Sequence, residues 1–345
     1  MLGGIFVGNG KFEVREVPKP KIDEEKNILL KNKVASICGT DLKILSVPQQ
    51  HHGRFGNILG HEYCAQVEEV GSNAKYIKPG DRVVIDINYP CGHCYYCHHN
   101  LPEHCENMSS IGVMQDGGFA EYSVVPEKSL IKMPDNISFE QGAFVEVIAT
   151  MINGFQKLNF SIGQSVVIFG AGPIGCLFNL LLQKSGASKI YVVEIRDFRT
   201  NFAKKIRADY SYNASKVPVD EIVSDILSKE PYGVDFAIDA GYGMSLPDCI
   251  KVVRKGGTIL LFGVNSQAKQ TITQYNITYR GLSIFGNWIY NYTNSFSTAF
   301  KLLQEGIVDI NTLITRRLDL KDMNEGIESL KKGEEIKVMV NCEVK

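Results

Sequence analysis

From Gly3 to about Gly142 the apolar positions fall in short runs, such as NILLKNKVASICG, AQVEEVG, DRVVIDI and AEYSVVP, cut by Gly, Pro and polar turns. Alternation with frequent turn residues predicts a β-rich unit. Near residue 150 the texture changes. QSVVIFG is all apolar, PIGCLFNLLLQKSG has helical spacing and stops at Gly186, and KIYVVEI is another buried run. DFRTNFAKKIRA, VDFAIDA and GTILLFGV continue the alternation of helix and strand. Non-alternating strands separated by helices predict a parallel sheet covered on both faces. After GLSIFGNW come two amphipathic stretches, SFSTAFKLLQEG and DMNEGIESLKKG, and a last strand, IKVMVNC. No solenoid repeat or low-complexity tract interrupts this order. The 345 residues therefore predict an α/β protein of about two domains.

Composition narrows the class without choosing a reaction. Hydrophobic residues at 44% and charged residues at 22% describe a globular protein. A net charge of −1 gives no electrostatic reason for a nucleic-acid or anionic-membrane partner. The stretch MLGGIFVGNGKFEVREVPKP lacks the basic, apolar and small-residue regions of a leader, and QSVVIFGAGPIGCLFNLLLQ is too punctuated by Gly and Pro to span a bilayer. The expectation is a cytoplasmic chain whose nine cysteines stay reduced.

Between the first apolar strand and first helix of the second region lies GAGPIG, with Gly170, Gly172 and Gly175 in GxGxxG spacing around Pro173 and Ile174. The hexamer alone is a weak signal, but here a strand precedes it, a helix follows, and the next strand ends in an acid, Glu194. Gly170 permits the tight turn, Gly172 lets a pyrophosphate approach the backbone, and Gly175 lets helix and strand pack closely. The helix N-terminus offers free N–H groups to the phosphates. Glu194, nineteen residues beyond Gly175, stands where a carboxylate receives the adenosine ribose hydroxyls and repels a 2′-phosphate. NAD is therefore expected over NADP, a preference that Arg196 and Arg199 soften.

Cys91, Cys94, Cys97 and Cys105 have the spacing C-x2-C-x2-C-x7-C. A bacterial iron–sulfur pattern begins in the same way but continues with a shorter gap and a proline, whereas here Glu106 follows. Four thiolates suit a closed tetrahedral zinc, which leaves no position for a substrate. The cluster is thus expected to staple a loop, with His93, His98, His99 and His104 solvated around it. Chemistry must lie elsewhere. Cys38 in ICGTD and His61 and Glu62 in LGHEY are a thiolate, an imidazole and a carboxylate, a set that suits an open zinc site. Glu146, in the apolar FVEVIAT, is a further carboxylate, with a glutamate at a helix start as its competing reading. Spacing alone does not join Cys38 to Glu146.

The ordered set ICGTD, LGHEY, VGSNAKYIKPGDRV, the four-cysteine loop, DGGFAEY, VEVIAT and GAGPIG resembles the zinc-dependent medium-chain dehydrogenase/reductase family from about residue 30 onward. The resemblance implies a GroES-like β-rich catalytic domain, residues 1–153 and 288–345, and a Rossmann NAD-binding domain, residues 154–287. It implies two zinc ions per chain and a homodimer or homotetramer. GHE together with VE looks like the polyol (sorbitol-type) dehydrogenases, and GNWIYNY is similar to the galactitol-phosphate dehydrogenases. Cys38, His61 and Glu62 would hold the catalytic zinc, with Glu146 a ligand or one water away. Adjacent strand residues point to opposite faces, so the backbone must twist for His61 and Glu62 to meet one ion. Thr40 would bond the substrate oxygen and begin a proton relay.

Three departures stand out. Lys43 replaces the histidine that relatives often carry as the outer relay member, and a lysine relays a proton only if its pKa is depressed. VEV replaces the frequent VEP. Ile289 stands where sorbitol-type enzymes have arginine, so Asn287, Trp288 and Tyr290 are expected to line the pocket or to form interdomain core. The implied reaction interconverts a secondary alcohol of a polyol, cyclitol or sugar-alcohol phosphate and its ketone. The alternative is an amino alcohol or simple secondary alcohol, as in a threonine dehydrogenase, and the third reading is a dehydrogenase-derived binding protein without turnover. Replacing Cys94 or Cys97 by serine should lower the thermal midpoint or change assembly and remove one zinc while the other remains. Metal analysis beside a melt checks this, and loss of hydride transfer with both zincs and the fold intact would reverse the two roles.

Overall fold

The computed structural model describes residues 1–241, 243–292 and 294–343. Both ends of the chain build the first sheet. Its seven strands run in the order Ile314–Asp319, Lys337–Asn341, Ile28–Ser36, Glu62–Val70, Arg82–Ile85 and Leu130–Lys132, with Tyr122–Val125 also paired to Ile28–Ser36. The last strand runs antiparallel to Ile28–Ser36, opposing Val340 to Ala35 and Met339 to Ser36. On its other side Ser36 opposes Glu62. This register places position 337 within reach of Glu62, although 275 residues separate them.

The second sheet has six parallel strands in the order Tyr210–Asn213, Lys189–Glu194, Ser165–Phe169, Val234–Asp239, Val253–Leu261 and Ser283–Gly286. This is the doubly wound order that puts a ligand crevice at the carboxyl ends of the two central strands, where the chain reverses direction across the sheet. Ser165–Phe169 is buried along its whole length, as expected for a strand covered on both faces.

Helix Phe139–Leu158 joins the two sheets. Ser138 caps it reciprocally with Gln141, and Asn159 ends it in the left-handed conformation at φ 49°. With no proline in its length, the helix runs 20 residues and buries Phe144, Val145, Ile148 and Met151. Glu146 lies two turns inside it, which removes the reading of this glutamate as a helix-start residue. One apolar cluster runs through the first sheet, this helix and the near face of the second sheet. Across the cleft between them, Ser266 Oγ donates to the Gln50 carbonyl at 3.4 Å and Lys43 Nζ donates to the Val264 carbonyl. Among the described residues no helix is long and apolar enough to cross a membrane.

The glycine loop shows why glycine is required there. Gly170 has φ 103°, and a Cβ on Gly175 would lie 1.9 Å from the Gly170 carbonyl oxygen. No flexible side chain is available to move aside. Gly175→Ala should therefore cost roughly 1–3 kcal/mol by overpacking and weaken dinucleotide binding; a urea titration and a binding titration check both.

Candidate active site

Cys38 is the N-cap of the short helix Gly39–Ile44, and its backbone N–H donates to Asp41 Oδ2 at 2.8 Å. The other oxygen of Asp41 faces His61 Nδ1 at 3.5 Å, with both groups buried. One carboxylate thus closes a helix turn and orients an imidazole, as a carboxylate behind a metal-ligating histidine does. Gly60, at φ 97°, turns the chain into His61, which lies just outside the strand that Glu62 begins. His61 then precedes the strand Glu62–Val70, and Cys38, His61 and Glu62 each offer a ligand atom within 4.8 Å of the others. Glu146 is not part of that set, although it lies close enough to feel the charges of His61 and Glu62.

Glu62 divides its two oxygens. Oε2 accepts from Lys337 Nζ and from Ser36 Oγ, while Oε1 is buried with no partner among the described residues. Glu62 and Lys337 are both 1% exposed, and the ammonium also lies 5.5 Å from the Phe144 ring centre. Burial works to raise the Glu62 carboxyl, but Lys337 and His61 outweigh it and hold it below its ordinary range. Burial works to lower Lys337, and Glu62 outweighs it in turn. Burial and Glu62 push the Cys38 thiol up. For His61 burial acts downward, yet Cys38 and Asp41 hold the imidazole well above its usual range. A buried orphan carboxylate oxygen, a thiol and an imidazole fit a divalent zinc.

One thiolate and one carboxylate would neutralise a divalent zinc, and two further buried charges flank them. Lys337 adds one positive charge, and Glu146 is pushed up to about 7 by burial, so it is largely uncharged below neutral pH. Asp41, buried beside His61, adds one negative charge, so zinc with Cys38, Glu62, Lys337 and Asp41 would sum to zero.

The four cysteines meet independently of this centre. Cys94 Sγ lies 3.6 Å from Cys97 Sγ and 3.8 Å from Cys105 Sγ, and ligand atoms of all four are within 4.8 Å of one another. A tetrahedron with metal–sulfur legs of about 2.3 Å has edges of about 3.8 Å, so the geometry fits zinc. The Cys97 and Glu106 backbones stabilise a thiolate at Cys94, bringing it down to about 6. His93, His98, His99 and His104 are exposed around the loop.

On the nucleotide side, helix Pro173–Lys184 starts at the N-cap Gly172, with Pro173 in its first turn and Ile174 next. Glu194 closes its strand with its own carboxylate: Oε2 accepts from Ala171 N at 2.8 Å, and Oε1 from Ile195 N and Arg196 N at 2.7 and 3.0 Å. Arg199 donates to the Glu335 carbonyl. In the cleft, Thr40 is half-buried in its short helix. Lys43 bonds the Val264 carbonyl, and burial lowers its pKa, in the direction a relay requires.

The two aromatic pocket candidates part company. Trp288 is 44% exposed, whereas Tyr290 is fully buried and donates to Asp86 Oδ1 at 2.5 Å while accepting from Asn88. Tyr290 is core, packed with Asp86, Asn88 and Phe296. Asn287 is buried, with Nδ2 donating to the Thr150 carbonyl at 3.2 Å. Sequence reasoning missed Asp41, Ser36 and Lys337. The interval C-x2-D could have pointed to Asp41, but nothing local marks Lys337 in EEIKVMVNC.

Residues 24–135 match the alcohol dehydrogenase GroES-like domain family, and residues 173–305 match the zinc-binding dehydrogenase family. A probable D-xylulose reductase A of Aspergillus fumigatus is 33% identical over 343 residues, 96% of this chain and 93% of that protein. An L-threonine 3-dehydrogenase of Shewanella loihica is 29% identical over 332 residues, 94% of this chain and 95% of that one. Among solved structures, a putative zinc-binding dehydrogenase from Sinorhizobium meliloti bound to NADP aligns with a TM-score of 0.90 at 30% identity, covering 99% of this chain and 98% of that chain.

Lys337→Met should destabilise the fold by about 3–5 kcal/mol, because Glu62 is left buried without its counter-charge. Adding Glu62→Gln to the same chain should recover much of the loss, and urea midpoints for the two variants measure both effects.

Proposed function

We propose that this chain, which belongs to the zinc-dependent medium-chain dehydrogenase family, interconverts a secondary alcohol of a polyol, cyclitol or sugar-alcohol phosphate with its ketone. It is an oxidoreductase acting on CH–OH groups, as members of this family are. The observation that carries the reading is the division of Glu62: one oxygen is held by Lys337 and Ser36, and the other has no partner among the described residues, in a group that also brings Cys38 and His61 together. A protein without turnover has no use for such an open ligand set.

Cys38, His61 and Glu62 would hold the catalytic zinc, with Glu146 close behind, and Cys91, Cys94, Cys97 and Cys105 the structural one. Zinc when bound supplies a Lewis acid that lowers the pKa of a hydroxyl, and the nicotinamide dinucleotide supplies the hydride acceptor. The chain's own residues do the rest. Asp41 keeps His61 oriented, and Lys337 keeps Glu62 charged. Thr40 bonds the substrate oxygen and takes the first step of the proton's exit, with Lys43 as the outer member of the path. Gly170, Gly172, Pro173, Ile174 and Gly175 shape the cradle for the pyrophosphate.

Glu194 has three of its roughly four acceptor sites filled by backbone N–H groups, which leaves room for one ribose hydroxyl. That supports NAD over NADP. The similarity to a D-xylulose reductase at 33% identity favours a polyol, and the threonine dehydrogenase at 29% keeps an amino alcohol as the second reading. Nine free cysteines, four of them in metal-ligand spacing, support a cytoplasmic setting. The sheet edge Ser283–Gly286, with Phe285 exposed, supports association into a homodimer or homotetramer.

Zinc-loaded protein should reduce NAD with at least one member of a panel of free and phosphorylated polyols and cyclitols, and more slowly with NADP. Cys38→Ser and His61→Ala should each lower kcat/KM about a thousandfold, equivalent to roughly 4 kcal/mol of the barrier, while dinucleotide binding persists. Turnover of L-threonine in place of every polyol would move the assignment to the amino alcohols.

A further inference from the structure

Arg199 stands between the two sites. It lies in helix Asp197–Lys205, which follows Glu194, and its Nη1 is 3.9 Å from the point where a side chain on Gly172 would begin. The guanidinium therefore reaches the lip of the glycine loop. Its Nε and Nη2 donate to the Glu335 carbonyl at 3.4 and 3.3 Å. Of the five N–H donors of an arginine, those on Nη1 face the loop, and among the described residues no carboxylate forms an ion pair with them. Arg196 lays its stem against Gly333, with side-chain atoms 3.1–3.3 Å from where a Cβ would stand.

Both arginines thus contact the turn between helix Met323–Lys332 and strand Lys337–Asn341. Among the described residues, the turn's other anchors all lie on its own side of the cleft: Gly333 N donates to the Leu330 carbonyl at 3.0 Å, Glu334 N to the Ser329 carbonyl at 3.1 Å, and Ile336 N to Thr315 Oγ1 at 3.0 Å. Two residues beyond Glu335 comes Lys337, whose Nζ holds Glu62. Only the buried Ile336 separates Glu335 from Lys337, so the carbonyl that Arg199 grips and the ammonium that holds Glu62 belong to one short segment.

We propose that Arg199 is a positioning residue that couples the dinucleotide site to the metal site, gripping the Glu335 carbonyl and so fixing the segment from which Lys337 holds Glu62. This rests on the assignment of both sites made above. An anionic or hydroxyl group of the dinucleotide at the glycine loop engages Nη1 and orders the guanidinium, and its charge-assisted bond is stronger than a grip on a neutral carbonyl alone. With the turn fixed, Lys337 keeps Glu62 Oε1 turned toward Cys38 and His61. Linkage makes the effect reciprocal: dinucleotide slows loss of the metal, and metal tightens the dinucleotide.

The test uses zinc-loaded wild type, Arg199→Ala and Arg199→Lys, with NADH as the probe at ten times each protein's own Kd. Quenching of Trp288, the only tryptophan in the chain, reports binding. A colorimetric chelator reports zinc release, and Cys38→Ser identifies the phase that belongs to the catalytic site. In the wild type NADH should slow that phase about tenfold, within the usual range of coupling between sites. Arg199→Ala should lose the slowing even at saturation. Arg199→Lys keeps a charge for the dinucleotide but lacks the fork that grips the carbonyl, so it should bind NADH yet retain less than half of the effect. Full slowing in either saturated variant would overturn the coupling, as would a wild type that binds NADH with no change in zinc release. A wild type that does not bind NADH at all would instead overturn the proposed function.

Discussion

A lysine and a glutamate, each 1% exposed, can be buried only because they face each other, and here they come from positions 337 and 62. Desolvating two charges costs several kcal/mol apiece, and the pair is tolerable only with close geometry and further hydrogen bonds. Ser36 supplies one of those bonds. The pair forces the last strand to lie against Ile28–Ser36 in one register, because a slip of one residue would turn Lys337 to the opposite face. The C-terminal segment is therefore part of the metal site's foundation.

The consequences reach the chemistry through Glu62. With Oε2 fixed by Lys337 and Ser36, Oε1 has one orientation, toward Cys38 and His61. His61 is fixed from behind by Asp41, which also caps the helix that begins after Cys38. Each candidate ligand is thus held by something other than the ion, which suits a site that keeps a coordination position open. The four-cysteine loop is the opposite case. Its sulfurs come from one short segment and need nothing from the rest of the chain to meet.

The nucleotide side is also locally built. Gly175 packs against the Gly170 carbonyl and Glu194 accepts from Ala171 N, all inside a single strand–helix–strand unit. Arg199 is the exception, because it leaves that unit to bond the turn before Lys337. The sheet that carries the metal ligands and the sheet that carries the glycine loop thus touch at a place where both have polar groups to satisfy.

What the sequence determined by itself is whatever depends on near neighbours. The change from alternating to continuous apolar runs marked the parallel sheet, GAGPIG followed by Glu194 marked the candidate nucleotide crevice, and C-x2-C-x2-C-x7-C marked the candidate closed metal site. Each rests on short-range geometry, in which spacing along the chain translates directly into spacing in space. Cys38, His61 and Glu62 were legible as ligand types, and family resemblance joined them. Tertiary structure alone decided that His61 lies just outside the strand Glu62 begins, that Glu146 lies inside a long helix, and that Tyr290 is core. It also decided that Lys337 completes the charge of the site. A lone lysine in IKVMVNC reads as a solvated strand residue, because most lysines are. Only strand pairing across 275 residues shows that this one has no water to reach and one carboxylate to meet.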